Sequence, residues 1–443
     1  MNSSADALSP VATAVAARPA QEQRLTAVRI PLRDRAWMPF HTVRAIGPVR
    51  TPSTARVREL LIKLWQTAPR HPLVCRMDER TAVRRPVPAD QLDGYLGAVI
   101  VPAPAGADAV ELARLLQARP LDGLPFMIAI SDRAAAMRSA HVIGDTATAN
   151  PWFFGLLRAG DPDRALDLIT SGRTTRFPLA AALINQFGRN PRRAIRAFRR
   201  ALPLGPATGA AETPVAATVG TPELITRTAT PDVEAALRTW RADHAPKASV
   251  AALWMAASVR ALRLHGIDTG DGVFTMMNCR RYLPEGAAVQ GNFAVGPYLL
   301  PDDLADPNAL GAELAGAAAD GVPLVLLTAI AARSVLRRGR PAQMPTMASP
   351  GSAPKINLSY FGGISADDVD FVEPGDLDGQ RHGQYVVAAE PAGPNAVTYV
   401  FARSPYGMHL SATAHREYTD VVALDGALQS VATDPVGLLD GMV

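Results

Sequence analysis

One histidine in this 443-residue chain has a spacing that suits proton transfer. His141 is followed four positions later by Asp145, and none of the other seven histidines has an aspartate at that distance. The stretches before it, 125–131 and 134–140, are mostly apolar and predict buried strands. A histidine at the end of a buried strand can project its imidazole into a cleft while the aspartate folds back. It can then serve as a general base for a hydroxyl, amine or thiol nucleophile, or it is a structural histidine.

Length and composition favour a cytoplasmic protein of two domains. The chain exceeds one ordinary core and suits two domains of about 200 residues each. Its net charge of +4 is mild for this length, so nucleic acid is not a predicted partner. Cys75 and Cys279 lie far apart and offer neither a disulfide framework nor a zinc spacing, so no metal site is expected. No run of eighteen apolar residues predicts a transmembrane segment.

The chain divides into four predicted parts. Residues 1–24 are rich in Ala, Ser and Pro without a continuous apolar run, which predicts a disordered tail and not a secretory signal. Residues 25–203 form a predicted N-terminal lobe that carries His141. Residues 204–222 are rich in Gly, Pro, Ala and Thr and predict a linker. Residues 223–443 form the predicted C-terminal lobe.

Strands alternate with helices in both predicted lobes, which indicates an α/β fold. Thr51 and Pro52 suit a helix start, the first as a capping hydroxyl and the second in the first turn. The predicted helices are 51–67, 109–116, 231–244, 247–265, 307–321 and 323–338. The predicted strands are 97–101, 125–131, 134–140, 273–278, 355–361, 385–390, 395–403 and 408–414.

Four separated segments resemble, in order, motifs of the chloramphenicol-acetyltransferase-like superfamily. They are His141 with Asp145, then MMNCRRYLP at 276–284, GNFAVG at 291–296 and INLSYFG at 356–362. The superfamily includes peptide-synthetase condensation domains, polyketide-associated acyltransferases and wax-ester synthases. The first segment is a degenerate HHxxxDG signature, because Ala140 replaces the first histidine and Thr146 the glycine. The superfamily also includes plant acyltransferases, and its DFGWG signature is not found in this sequence, which argues against that plant branch.

The resemblance implies a fold and an activity. The fold would be two chloramphenicol-acetyltransferase-like lobes, each a mixed sheet with helices, in a V-shaped pseudo-dimer with a tunnel between them. His141 would be the general base for transfer of an acyl group from a thioester to the hydroxyl or amine of a small-molecule acceptor. The donor would be acyl-CoA or an acyl group on the phosphopantetheine of an acyl or peptidyl carrier protein. No tightly bound cofactor is implied, and the setting would be natural-product or lipid biosynthesis.

The resemblance also assigns supporting residues. Arg280 would pair with Asp145 across the lobes, which suits a partly buried carboxylate that needs a partner; the alternative is a solvated charge at a strand end. Ser359 or Tyr360 would donate to a tetrahedral oxyanion, or would satisfy neighbouring backbone groups. The predicted substrate-binding residues are Asn292, Asn357, Ser359 and Tyr360.

Two further interpretations remain open. One is a condensation-like domain that forms an amide between two carrier-bound partners. The other is a catalytically silent relative that recruits a partner protein, an option that Ala140 and Thr146 keep open although His141 is retained. Separately, six arginines within 189–200, together with Ile195 and Phe198, predict an amphipathic basic helix. It would meet an acidic carrier protein, a CoA phosphate or an anionic membrane, or would be a solvated helix face.

Overall fold

The computed structural model describes residues 26–202, 215–337, 342–344, 346–348, 353–364 and 383–441. The predicted tail, 1–24, and most of the predicted linker, 204–214, lie outside these residues.

Thirteen α-helices lie within the described residues and are named α1 to α13 in chain order. They are Thr54–Thr67, Leu92–Val99, Ala109–Gln117, Thr146–Leu157, Pro162–Thr170, Pro178–Phe187, Pro191–Arg200, Pro231–His244, Val250–Leu264, Pro307–Asp320, Val322–Leu336, Val421–Thr433 and Pro435–Asp440.

Eighteen strands, β1 to β18, lie within the same residues. They are Val28–Arg29, His41–Gly47, Cys75–Asp78, Val83–Pro86, Ile100–Val101, Phe126–Ile130, Ala135–Ala140, Val215–Ala216, Glu223–Ala229, Val273–Thr275, Met277–Asn278, Ala294–Val295, Tyr298–Leu299, Met347–Ala348, Lys355–Gly363, Gln384–Ala389, Ala396–Ser404 and Gly407–Ala414.

Two mixed sheets organise the chain. The first has the strand order β16-β2-β7-β6-β5, in which β5 and β6 are parallel and the other neighbours antiparallel. The second has the order β13-β10-β15-β17-β18-β9, with parallel pairing of β15 to both β10 and β17. Each sheet has its own apolar core, and a third cluster lies among α6, α7, α10 and α11. The predicted α/β class with two mixed sheets is confirmed.

The first sheet takes its edge strand from the second half of the chain. Strand β16 pairs with β2 from Gln384 opposite Gly47 to Ala389 opposite Thr42. Its apolar side chains, Tyr385 to Ala388, are buried in the core of the first sheet. The predicted lobe of residues 223–443 therefore contributes a strand to the first sheet. An apolar pattern predicts a strand but does not name its partner, which is why the sequence did not indicate this exchange.

Three predicted elements differ in detail. Helix α1 is capped by Ser53, whose hydroxyl accepts from the amide of Arg56 at 3.3 Å, and not by Thr51. Most of the predicted strand 97–101 belongs to α2, with only Ile100–Val101 extended. The predicted strand 273–278 breaks at Met276 into β10, in the second sheet, and β11, which pairs with β12. Because of this break, the 3₁₀ turn Cys279–Tyr282, which carries Arg280, follows β11 and not a strand of the second sheet.

Within the part of the chain that is described, no single helix has the length and apolar character needed to cross a membrane. The neighbouring helices α10 and α11, bent by 58° at their junction, meet that test only as a pair.

Candidate active site

His141 begins a tight turn at the end of a buried strand. All six residues of β7 are buried, and the chain then makes one 3₁₀ turn, His141–Ile143. The His141 amide donates to the carbonyl of Phe40 at 2.8 Å, which fixes the start of the turn against the neighbouring chain segment. A Cβ on Gly144 would lie 2.6 Å from the Cβ of Thr148, so only glycine lets the turn approach α4 this closely.

Asp145 receives a forked ion pair from Arg280. The two Nη atoms of Arg280 donate to the two carboxylate oxygens of Asp145, at 2.6 and 3.0 Å. The amide of Phe293 donates to the same carboxylate at 2.9 Å. A bidentate arginine–carboxylate pair is both strong and directional. The carboxylate is thus held by partners from the other half of the chain.

Arg280 and Asn292 together hold the segment opposite the His141 turn. Arg280 also donates to the carbonyls of Val289 and Gly291, at 3.1 and 2.9 Å through its Nη2. The Asn292 amide group donates to the carbonyl of His141 at 2.8 Å. Asn292 is fully buried and is not among the residues that line the neighbouring cavity, and its role in substrate binding stays a prediction.

The imidazole of His141 is partly exposed and stacks on Trp37, with the ring centroids 4.4 Å apart and the planes 15° from parallel. Its Nδ1 is buried and has no hydrogen-bond partner within the described residues. Burial lowers the pKa of His141 to about 4, against the attraction of Asp145 and aided by the positive charge of Arg44. The imidazole is therefore neutral at physiological pH and able to accept a proton.

Arg44 is a buried cation next to this histidine. It is 1% exposed, and it donates to Asn150, Thr42 and Ser139 at 2.9 to 3.1 Å. No carboxylate lies within ion-pair distance of it in the described part of the chain. Its positive charge disfavours a second positive charge on the imidazole and adds to the effect of burial, which is the larger cause of the lowered pKa of His141.

A cavity of about 430 Å³ borders His141. Strand β15 forms its opposite wall, where Asn357 and Ser359 share one face because side chains alternate along a strand. Tyr360 also lines the cavity, although its place next to Ser359 in the strand directs its side chain towards the other face of β15. Burial and the nearby Glu234 raise the pKa of its phenol. Further lining residues include Trp37, Phe40, Thr42, Asn278, Phe274 and Glu390.

Sequence reasoning missed several residues of this cavity. Trp37 and Arg44 surround the imidazole, yet both lie about a hundred positions from it. Glu390 accepts from Arg138 at 2.6 Å and pairs with Nδ1 of His41 at 2.9 Å, across 252 and 349 positions. No local spacing could reveal these contacts, because they depend on the pairing of β2 with β7 and of β16 with β2.

A second cavity, of about 610 Å³, lies on the other side of the His141 turn, where Val142 and Ile143 line it. Three arginines share this lining: Arg33, Arg70 and Arg84. The Nε of Arg84 is buried without a hydrogen-bond partner in the described residues. The cavity therefore offers positive charge that the protein itself does not fully neutralise, which suits an anionic group.

Two other expectations concern cysteine and metal chemistry. Cys75 and Cys279 are both buried and unpaired, and burial raises the pKa of each thiol, to about 11 and about 12. Neither is therefore suited to act as a nucleophile. In the portion of the chain that is described, no group of three or more His, Cys, Asp or Glu side chains is arranged to hold a metal ion.

Three solved structures show what the fold is similar to. A trichothecene 15-O-acetyltransferase from Fusarium sporotrichioides aligns with a TM-score of 0.59 and 11% identity, over 95% of this chain and 99% of that one. The condensation domain of the monacolin K polyketide synthase aligns with 0.56 and 14%, over 94% and 97%. The PapA2 acyl transferase aligns with 0.52 and 12%, over 98% and 95%. No protein-family model and no curated protein matches the sequence.

These structures are an acetyltransferase, a condensation domain and an acyl transferase, and all have the chloramphenicol-acetyltransferase-like fold. The present chain has that fold along nearly its whole length, as its four motifs predicted. At these identities the likeness concerns the fold, so the activity must be argued from the site.

Proposed function

We propose that the protein is an acyltransferase that moves an acyl group from a thioester to a hydroxyl or amine acceptor. One observation carries this proposal: a neutral histidine borders a cavity with polar groups on the facing wall, and its turn is fixed on both sides. An imidazole so held has little freedom to lose when the substrate binds, which favours proton transfer.

The proposed step uses His141 as general base. Its Nδ1 is buried, which leaves Nε2 to face the acceptor. As the acceptor oxygen or nitrogen forms a bond to the thioester carbonyl carbon, its proton passes to Nε2. The carbon–sulfur bond then breaks, and the imidazolium returns the proton to the departing sulfur. The products are an ester or amide and a free thiol. Asp145 takes no proton in this step, because Arg280 and the Phe293 amide hold it as a carboxylate.

Ser359 is the proposed donor to the tetrahedral intermediate. The carbonyl oxygen becomes negative while the acceptor adds, and a hydroxyl aimed at that oxygen stabilises it. Ser359 lies on the cavity wall opposite His141, on the same face of β15 as Asn357. Asn357 is the proposed contact for the acceptor's polar groups, since its side chain is half-buried and its amide donates a long bond, 3.4 Å, to the carbonyl of Lys355.

The arginine-lined cavity supports a donor that carries phosphate. Acyl-CoA and carrier-bound phosphopantetheine both present phosphate near the end of a long arm. Arg33, Arg70 and Arg84 line the cavity that Val142 and Ile143 of the His141 turn also line. We therefore propose that donor and acceptor approach His141 from opposite sides. Natural-product or lipid biosynthesis is the proposed setting, by analogy with the proteins that share the fold.

Product analysis tests the proposal. Purified protein is incubated with a panel of acyl-CoA and carrier-bound acyl thioesters plus candidate alcohols and amines, and products are identified by mass spectrometry. We expect an acylated acceptor and stoichiometric free thiol, both absent with H141A. An amide formed only from two carrier-bound partners would instead support the condensation-like alternative. Absence of turnover with every donor, together with stable binding of a protein partner, would support the catalytically silent alternative.

A further inference from the structure

The chain between Arg173 and Leu202 is the most one-sided stretch of charge in the sequence. It contains eight arginines and not one aspartate or glutamate. It also exposes large apolar side chains, among them Phe177 and Ile184 at 64% and 71%. The proposed acyl transfer uses none of these residues, and they need another explanation.

On helix α7, Pro191–Arg200, the exposed apolar side chains and the arginines form separate stripes. Ala197 and Ala201 are buried and mark the side that packs on the protein. Ile195, Phe198 and Leu202 follow one another at intervals of three and four positions, so they form one stripe along the helix and its first following residues. They are 55%, 57% and 59% exposed. The solvent side of α7 therefore presents a continuous apolar edge.

A stripe of arginines runs beside that apolar edge. Arg192, Arg196 and Arg199 are spaced by four and three positions and are all exposed. Arg196 lies 3.9 Å from Asp320, whereas the other two form no ion pair within the described residues. Arg200, on the protein-facing side, pairs with Glu313 and Asp320 of α10, which anchors the helix to the body of the protein. The acidic residues near α7, Glu313 and Asp320, thus pair with Arg200 on the side of the helix that faces the protein.

We propose that this surface, composed of the apolar stripe and the arginine stripe of α7, binds an anionic lipid membrane. A bilayer surface changes from apolar acyl chains to negative headgroups over a short distance, and a helix lying in that plane needs an apolar edge next to a cationic one. Low overall hydrophobicity with strong segregation of the two residue types is the composition of such helices. An acidic protein partner satisfies the arginines but leaves three exposed apolar side chains to be covered by a matching groove.

The test is sedimentation of the full-length protein with vesicles. Vesicles of phosphatidylcholine containing phosphatidylglycerol should bind it, and vesicles of phosphatidylcholine alone should not. The triple variant R192Q/R196Q/R199Q should bind about a hundredfold more weakly, because each basic residue near an anionic surface contributes about 1 kcal/mol, roughly fivefold. The variant I195S/F198S/L202S should also lose binding, and that loss should persist at low salt, where charge attraction is strongest.

A matched control removes the same net charge elsewhere. R50Q/R80Q/R119Q changes three other exposed arginines and should keep vesicle binding within a few-fold. Each variant's melting temperature and its turnover of a CoA donor in vesicle-free buffer should match those of the parent, which excludes misfolding.

Three outcomes overturn the proposal. The first is no binding of the parent protein to anionic vesicles. The second is equal weakening by both arginine triples, which would reflect net charge alone. The third is unchanged binding by the serine triple, which would show that α7 does not enter the interface. If vesicles are not bound and R192Q/R196Q/R199Q raises KM for carrier-bound donors but not for CoA donors, the surface is a docking site for an acidic carrier protein.

Discussion

Arg280 donates hydrogen bonds to both carboxylate oxygens of Asp145, although 135 positions separate the two residues in the chain. One residue follows the strand β11 in the second half, and the other ends the turn that carries His141. The same guanidinium also holds the carbonyls of Val289 and Gly291. The position of the imidazole therefore depends on contacts from both halves of the chain.

Removing the imidazole should abolish the reaction. We expect H141A to lower kcat/KM by roughly 10²–10⁴-fold, the usual contribution of a positioned general base. Its melting temperature should change little, since the ring borders a cavity and its Nδ1 makes no hydrogen bond within the described residues. The control is H244A, which removes an exposed imidazole stacked on Trp240. Activity of H141A within a few-fold of the parent would remove His141 from the mechanism.

Loss of the Asp145–Arg280 pair should lower the stability of the protein. D145A and R280A should each cost about 3–5 kcal/mol of unfolding free energy, because each leaves a partly buried charge unpaired. The double variant should cost less than the sum of the two. Chemical denaturation of the four proteins gives the coupling energy directly. Additive losses would mean that the two groups do not interact in solution.

The pH dependence of the reaction should report the lowered pKa of His141. Because burial holds that pKa near 4, kcat/KM should stay level from neutral pH down to about 5 and fall only as the pH approaches 4. An unperturbed histidine would lose activity near pH 6.5. The folded fraction must be followed in parallel. The buried His71 and His409 also have lowered pKa values, each about 3, so stability itself declines as the pH drops below about 6.5.

The proposed oxyanion donor, Ser359, can be distinguished by mutation from its neighbour Tyr360, which also carries a hydroxyl group. S359A should lower kcat by roughly 10²–10³-fold with little change in KM, as expected for a donor that acts in the transition state. Y360F should leave kcat nearly unchanged, because Tyr360 follows Ser359 directly in β15 and neighbouring residues of a strand point to opposite faces. Steady-state kinetics of the two variants decide the matter. Equal effects, or a larger effect of Y360F, would contradict the assignment.

Asp34 should make stability fall as the pH rises from about 4 to about 7. Its carboxyl group is 3% exposed and burial raises its pKa to about 7, despite Arg33 beside it. A group whose pKa is raised by folding stabilises the fold at low pH and loses that contribution as the pH rises through the folded value. D34N cannot ionise and keeps an oxygen for the amide of Asn292, which now donates to Asp34 at 3.2 Å. Its melting temperature relative to the parent should therefore increase between about pH 4 and about pH 7, and a constant difference would refute this.

The sequence was most informative where neighbours along the chain determine the structure. The His141 turn after a buried strand, the helices α8 and α9 and the strand β15 all follow from local apolar periodicity or local spacing. The Asp145–Arg280 contact could be anticipated only through the resemblance of the motifs, because no pattern in the sequence links residues so far apart.

The rest depends on tertiary contacts. Trp37 stacks on His141, and Arg44 places a charge beside it, yet neither has a signature in its own segment. Asn292 was predicted to bind substrate because its segment, 291–296, resembles a motif of the superfamily. Only the packing shows that its amide is directed inward, to the carbonyl of His141.

The pairing of β16 with β2 affects any attempt to express the two halves of this chain separately. A fragment ending at residue 202 would leave β2 with an unpaired edge along six residues, from Thr42 to Gly47, that β16 normally covers. Bare strand edges attract other chains, so such a fragment should self-associate when expressed. The complementary fragment would carry Gln384–Ala389 without a partner and with its apolar side chains uncovered. Reassembly from two co-expressed pieces is therefore more promising than the study of either piece by itself.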